Sequence, residues 1–318
     1  MNEIMLPVEI GAQEQTFYQD VVEGLSETPK RIPSKYFYDQ KGSELFEQIC
    51  DLEEYYLTRT ELGMLDGVAS DLANFLPKIS RIVEFGSGNC EKVQYLLDRH
   101  SSIRRYLPID VSESFLLFHA DRLMQRYHGL DVLPVVGDFN VPISLEEEEG
   151  ISLGFFPGST IGNLDRWEAI RFLRNAADTL GTKSYFLVGV DTLKDRDILL
   201  AAYDDAKGVT RDFNLNLLRR LQQELGANLN IDQFEHEARF NQEQSRIEMH
   251  LKSRCDQTVR INGDTFRLIE GETIHTENSH KYSVESFQDL ARLGGWESCR
   301  VWLADGEMFS IHLLKRID

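Results

Sequence analysis

The residues with the clearest chemical promise form the stretch VEFGSGNCEKV, 83–93: a short apolar run, a glycine–serine–glycine turn and a segment of helical spacing. Glycine lets a ligand approach the backbone closely, and a turn that leads from a strand into a helix commonly faces a phosphate or a nucleoside. The dinucleotide fingerprint G-x-G-x-x-G needs a third glycine for tight packing beside a pyrophosphate; here Glu91 stands in that place. Taken alone, Gly86 and Gly88 fit an ordinary strand-to-helix turn equally well. Two further strand ends narrow the reading. Asp110 closes the apolar segment RRYLPID, where a carboxylate can accept hydrogen bonds from both hydroxyls of a ribose. Asp138 and Phe139 close LDVLPVVGDF, where an acid can take an adenine amino group and a ring can cover the base. In this order the three strand ends point to S-adenosylmethionine, whose cationic sulfonium suits an acidic protein.

The elements that must position these residues alternate. Strand-like runs at 81–85, 104–110, 130–139, 153–159 and 184–191 are interleaved with helical spacing at 90–100, 112–127 and 166–180, with Ser112 as a helix cap. Such alternation predicts a parallel sheet covered on both faces. The tail WESCRVWLADGEMFSIHLL holds two strand-like runs joined by an Asp-Gly, a hairpin signal. The fold class expected is therefore α/β, a Rossmann-like class I methyltransferase sheet finished by an antiparallel hairpin. Between about 196 and 284 the alternation breaks: two helical stretches precede EARFNQEQSRIEMHLKSR, in which Ile247, Met249 and Leu251 share one face of a strand. The expected organisation is a cofactor-binding domain over 60–195 and 285–318 and a substrate-binding α+β domain over 1–59 and 196–284.

The 318 residues carry 34 Lys and Arg against 53 Asp and Glu, a formal charge of −19. That charge argues against nucleic acid and anionic membranes as partners; solubility is its ordinary meaning, with Glu146–Glu149 a solvated run. No apolar run is long enough to span a membrane, and the opening MNEIMLPVEIGAQEQ lacks the pattern of a secretory signal. The four cysteines include no C-x-x-C pair and the eight histidines no H-E-x-x-H pair, so no metal is expected. Scattered cysteines suit a reduced, cytoplasmic protein.

The pieces KYFYDQKGSELFEQIC, EYYLTRTE, FGSGNCEK, GSTIGNL, YDDAKGVTRDFN, RIEMHLKSR and TENSHKY give the chain a more specific likeness. It resembles, over nearly its whole length, the L-histidine Nα-methyltransferases of ergothioneine biosynthesis. The resemblance implies trimethylation of the α-amino nitrogen of L-histidine to hercynine, with S-adenosylmethionine as cofactor, a small-molecule substrate and a monomeric enzyme. It also implies a cofactor site of Tyr55, Gly86, Lys92, Asp110, Asp138 and Phe139. The implied amino-acid site holds Tyr38, Phe46, Gly158, Asn163, Tyr203, Thr210, Met249, Glu277 and Ser279, with Tyr38 orienting the amine.

Most of these residues are individually unremarkable. By spacing alone Tyr38 and Tyr203 read as surface residues of amphipathic helices, Met249 as core and Lys92 as a solvated helix residue. Asn163 reads as the polar start of a helix after a glycine-rich turn. Glu277 and Ser279 are two apart in a strand and so share a face; they match the two nitrogens of an imidazole, although an exposed polar strand has the same pattern. A relative acting on another, aromatic amino acid is the runner-up. A nicotinamide or flavin oxidoreductase is disfavoured by the missing third glycine, and a non-catalytic cofactor-binding protein is the remaining alternative.

Overall fold

The computed structural model describes residues 17–141, 143–145 and 149–317. The opening segment and most of the Glu146–Glu149 run lie outside the described residues. The chain forms two compact units, one of residues 57–193 and 281–317, the other of 17–56 and 194–280.

In the first unit, Ile79–Phe85 lies central in a sheet. On one side it pairs parallel with Arg105–Asp110, which carries two short strands, Asp131–Val132 and Val135–Val136. On the other side come Ile151–Phe156 and Ser184–Asp191, both parallel, then Phe309–Arg316 and Trp296–Leu303, both antiparallel. The central strands are largely apolar because both faces are covered, with Arg81 and Glu84 as buried charged-type exceptions. Val83, Phe85, Phe156, Phe186 and Trp296 pack on one face with Phe172 and Leu173 of the helix Arg166–Leu180. Ile82, Tyr106, Phe155, Leu187 and Leu313 pack on the other with Leu65 and Leu72 of the helix Tyr56–Phe75.

The structure departs from the sequence reading at identifiable points. The run 130–139 yields two strands of two residues each rather than one; Pro134 stands between them and has no N–H to give a ladder. The helix after the glycine turn begins at Val93, not Cys90. Gly86, Gly88 and Cys90 all have positive φ (69°, 51° and 53°), so the chain is still turning there. Ser112 precedes the helix Glu113–Arg126, but its side chain makes no capping bond. The closing hairpin turns through a short 3-10 segment, Asp305–Glu307, with Gly306 at φ 64°.

The second unit holds a four-stranded sheet in the order Lys30–Arg31, Thr273–His280, Arg246–Ser253, Phe234–Asn241. The segment 237–254 is thus parts of two strands, turning at 242–245. The helices Arg196–Tyr203 and Val209–Leu225 pack on this sheet. A bulge between His275 and Glu277 sets the faces: Ile274 pairs with Leu251 and His275 with His250, but beyond Thr276 it is Glu277 that pairs with Met249 and Ser279 with Ile247. The extra residue brings Glu277 and Ser279 onto the face of Ile274, the face of Met249 and Leu251.

A buried ion pair sits where the chain leaves and re-enters the first unit. Lys281 Nζ lies 2.7 Å from Asp191 Oδ2, both side chains at 0% exposure, and Tyr282 N–H donates to the Asp191 carbonyl at 3.0 Å. Removing one partner leaves a buried charge uncompensated. Lys281→Ala is expected to lower stability by about 3–5 kcal/mol, read as a fall in the urea midpoint. The double variant Lys281→Met with Asp191→Leu should recover much of that loss, because it leaves no charge behind.

Candidate active site

The glycine turn is held from below and from both sides. Gly86 and Ser87 donate their N–H groups to the Ile109 carbonyl at 2.8 and 3.1 Å, tying the end of Ile79–Phe85 to that of Arg105–Asp110. Asp110 accepts Gly88 N–H on one carboxylate oxygen and Ser112 N–H on the other, each at 3.0 Å. Burial raises its pKa and these N–H groups draw it back down. A carboxylate has about four lone-pair sites, so two bonds orient Asp110 without exhausting it. A Cβ at Gly86 would meet the Phe139 ring at 3.3 Å, so that ring sits directly against the turn. Asp138 Oδ1 accepts the backbone N–H and side-chain amide of Asn140, both at 2.9 Å. The three strand ends singled out in the sequence therefore meet, and their donor and acceptor chemistry fits the ribose and base of a nucleoside.

Sequence reasoning missed the group beneath them. Glu61 is 0% exposed. Its carboxylate accepts Lys92 Nζ at 2.6 Å and Gly158 N–H at 2.9 and 3.0 Å. Gly189 makes room for it: a Cβ there would lie 2.1 Å from Glu61 Oε1. Lys92 is thus an ion-pair partner with 19% of its side chain exposed, not a solvated helix residue. Gly158 (φ 77°) and Ser159 (φ 56°) are both left-handed, and Ser159 Oγ accepts Asp191 N–H at 2.9 Å. This fixes the turn that leads to Asn163, the end of the 3-10 segment Thr160–Asn163. The available signal was Glu61 itself, the last residue of EYYLTRTE.

Glu84 is a second hidden acid, 1% exposed, accepting the Tyr106 hydroxyl at 2.5 Å. Burial pushes its pKa up to about 8, against the Tyr106 bond and Lys92, which lower it, while Glu61 and Asp110 add to the rise.

In the second unit, aromatic rings run in a chain. Tyr38 and Phe46 are 5.7 Å apart by centroids, Phe46 and Tyr55 6.2 Å, Tyr55 and Tyr203 6.1 Å. Phe213 closes on Tyr38 and Phe46 at 5.9 and 6.0 Å. Tyr38 is placed by its neighbour Asp39, the cap of the helix Gln40–Cys50, whose Oδ1 accepts Gly42 N–H at 2.7 Å and the Asn216 amide at 2.8 Å. The chain ends on strand Thr273–His280, where the Tyr203 hydroxyl lies 2.6 Å from Ser279 Oγ. Burial raises the Tyr55 pKa well above normal, and Tyr203, Cys50, Tyr38 and Glu277 all add to the effect. Tyr203 is 6% and Tyr55 7% exposed, so neither is a surface residue. Met249, 1% exposed, is core and faces Glu277 across the ladder. Thr210 N–H donates to Asp205 Oδ1 at 2.8 Å in the first turn of its helix.

Behind Tyr203 stands a network that sequence reasoning also missed. The Asn214 amide donates to His236 Nδ1 at 2.8 Å, so His236 carries its proton on Nε2 and donates it to the Tyr203 carbonyl at 2.8 Å. Asn214 Oδ1 accepts the Thr276 hydroxyl at 2.8 Å. Helix end and strand bulge are thereby joined. Asn214 is the last residue of YDDAKGVTRDFN, the only sequence signal it carried.

Parallel strands whose order reverses beside the glycine turn, closed by an antiparallel hairpin, define a class I methyltransferase. Residues 17–316 match the histidine-specific, S-adenosylmethionine-dependent methyltransferases, and the chain belongs to that family. It is 38% identical over 300 residues to the histidine N-alpha-methyltransferase of Mycobacterium tuberculosis, covering 93% of each chain. To the enzyme of the same description from Mycolicibacterium smegmatis it is 37% identical over 303 residues, covering 94% of each. Ergothioneine biosynthesis protein 1 of Neurospora crassa is 30% identical over 304 residues, which take in 91% of this chain and 33% of that one.

The raised Glu84 pKa makes stability depend on pH. The folded state keeps this proton up to about pH 8, whereas the unfolded chain releases it near the ordinary value of 4.5. Between these values the folded state binds more protons, so this group's contribution to stability falls as pH rises through the window and levels off above it. Glu84→Gln, which retains an acceptor for Tyr106, should remove that component. Urea midpoints compared at about pH 5 and about pH 9 should show the variant gaining on the wild type by an order of roughly 3 kcal/mol; parallel pH profiles would contradict a buried, proton-holding Glu84.

Proposed function

We propose that this enzyme transfers the methyl group of S-adenosylmethionine to the α-amino nitrogen of L-histidine three times, giving hercynine for ergothioneine biosynthesis. The observation that carries the reading is the family match over residues 17–316; the polar pair on strand Thr273–His280 supports the substrate. In the cofactor's part, Asp110 addresses the ribose hydroxyls, Asp138 the adenine amino group and Phe139 the ring face, with Gly86, Lys92 and Tyr55 completing it. The cofactor supplies an activated methyl carbon on a sulfonium.

For the amino acid, Glu277 accepts one imidazole N–H and the Ser279 hydroxyl addresses the other nitrogen. The 2.6 Å contact between Tyr203 and Ser279 couples the two hydroxyls, so the groups that address the carboxylate and the ring are linked. Asn163 offers an amide donor and Tyr203 a hydroxyl to the carboxylate, Phe46 and Met249 give apolar surface, and Gly158 and Thr210 complete the set. Tyr38 orients the amine. An α-amino group has a pKa near 8, so a neutral fraction exists at ordinary pH without a strong base. Alignment of nitrogen, carbon and sulfur can lower the barrier by up to roughly 7–11 kcal/mol. The working form is proposed to be a cytoplasmic monomer; among the described residues no helix is long and apolar enough to cross a membrane.

Incubation with labelled S-adenosylmethionine and a panel of amino acids tests this directly. Histidine should be the preferred acceptor, and mass spectrometry should show mono-, di- and trimethylated products, all on the α-nitrogen. Methylation on the ring, or preference for an apolar aromatic amino acid, would refute the assignment.

The substrate reading has its own test in Glu277→Ala. A site built on polar contacts discriminates strongly, because an unpaired buried group is costly. kcat/KM for histidine should fall by an amount equivalent to roughly 2–4 kcal/mol, with S-adenosylmethionine affinity little changed and phenylalanine losing much less. Equal losses for both substrates would show that Glu277 does not read the imidazole.

A further inference from the structure

The four-stranded sheet has a second face, and three ligand-type side chains meet on it. Glu248 and His250 are two apart on Arg246–Ser253 and so project to one side; His275 pairs with His250 across the ladder. The two imidazoles stack with centroids 4.8 Å apart and planes 19° from parallel. His250 Nε2 lies 3.1 Å from Glu248 Oε2, and one ligand atom from each of the three residues lies within 4.8 Å of the others.

The surroundings prepare these groups as ligands. His275 Nε2 lies 3.0 Å from the Glu277 carbonyl; a carbonyl only accepts, so Nε2 carries the proton and Nδ1 is left with a bare lone pair. His250 is 6% exposed, and its Nδ1 is buried with no hydrogen-bond partner, a state that buried polar atoms rarely keep without cause. Glu248 Oε1 accepts Arg246 at 2.8 Å and the Asn241 amide at 2.9 Å, which fixes the carboxylate and turns Oε2 toward His250. A histidine anchored on a backbone carbonyl and a carboxylate held by outer donors are the supports that metal ligands usually have. Two imidazole nitrogens with one carboxylate oxygen suit zinc and its first-row neighbours, not calcium or magnesium, which take oxygen. The site escapes a search for sequence pairs because its halves lie on separate strands, at Glu248-x-His250 and at His275.

We propose that Glu248, His250 and His275 form a binding site for one divalent transition-metal ion, with zinc as its type, the remaining positions being filled by water. Arg246 lies close by, but it holds Oε1; Oε2 and His250 Nε2, now 3.1 Å apart, would both turn to the ion, which displaces the proton between them to solvent.

The test uses the full, tag-free chain stripped with chelator, and no histidine is added, since histidine itself binds these metals. Zinc is titrated against a chromogenic indicator and cobalt is followed by its visible absorption. One equivalent should bind, zinc should raise the thermal transition, and cobalt should give bands characteristic of nitrogen and oxygen ligands. His275→Ala and Glu248→Gln should each weaken zinc binding at least roughly tenfold while keeping the metal-free transition, whereas Cys299→Ser, which alters an exposed thiol, should leave binding unchanged. If His275→Ala fails to fold, Glu248→Gln, which preserves shape, carries the comparison. No stoichiometric binding by the folded wild type, or equal binding by wild type and Glu248→Gln, would overturn the proposal.

Discussion

The Glu61 carboxylate is the contact on which the first unit's ligand-facing edge depends. It comes from the helix Tyr56–Phe75, reaches under the sheet's carboxyl edge and takes one ammonium and one backbone N–H. Through Lys92 it governs the residue that follows the glycine turn; through Gly158 it governs the turn after the strand Ile151–Phe156. Those two turns flank the point where the strand order reverses, the place where open α/β sheets bind ligands. A buried carboxylate is tolerated only when it is paired and hydrogen-bonded, so the positions of both turns follow from its need for partners. The same need explains why residue 189 is glycine: any side chain there would occupy the carboxylate's space.

The second unit has its own organising constraint, the extra residue at Thr276. A strict two-residue period from Ile274 would place Thr276 with it and Glu277 on the opposite face. The bulge reverses that parity and gives one face Met249, Glu277 and Ser279 and the other His250, His275 and Glu248. Thr276 is held by Asn214 and by the Met249 carbonyl at 3.0 Å. The irregularity is therefore fixed by hydrogen bonds and is part of how the sheet presents its polar groups.

Much of the first unit was legible because its signals are local and periodic. The helix Arg166–Leu180 and the strand Ser184–Asp191 fall where the apolar spacing and their bounding turns put them. What local pattern could not convey was the break at Pro134, which depends on a missing donor in a ladder, and the late helix start at Val93, which depends on three left-handed residues. The candidate site was named residue by residue from short motifs, whereas the side chains that support those residues were not legible. Glu61, Glu84, Asn214 and His236 act through partners 22 to 97 residues away, and no spacing rule connects them. Tyr203 illustrates the same limit from the other side. Its helix looks amphipathic by sequence, yet the hydroxyl is committed to Ser279, 76 residues on.

The acids around Lys92 also bear on what the glycine turn can hold. Glu61, Glu84 and Asp110 all lie within electrostatic reach of one another, with a single ammonium among them. Were all three ionised, the cluster would carry two uncompensated negative charges in a place that water hardly enters. Glu84 avoids this by keeping its proton to about pH 8, because its burial outweighs the Tyr106 hydrogen bond and the nearby Lys92. Glu61 pairs with Lys92, and Asp110 is the acid at the glycine turn itself, held by two backbone N–H groups. An acid beside a glycine turn suits a ligand that brings a positive centre. It is a poor match for the anionic pyrophosphate that a third glycine would have served.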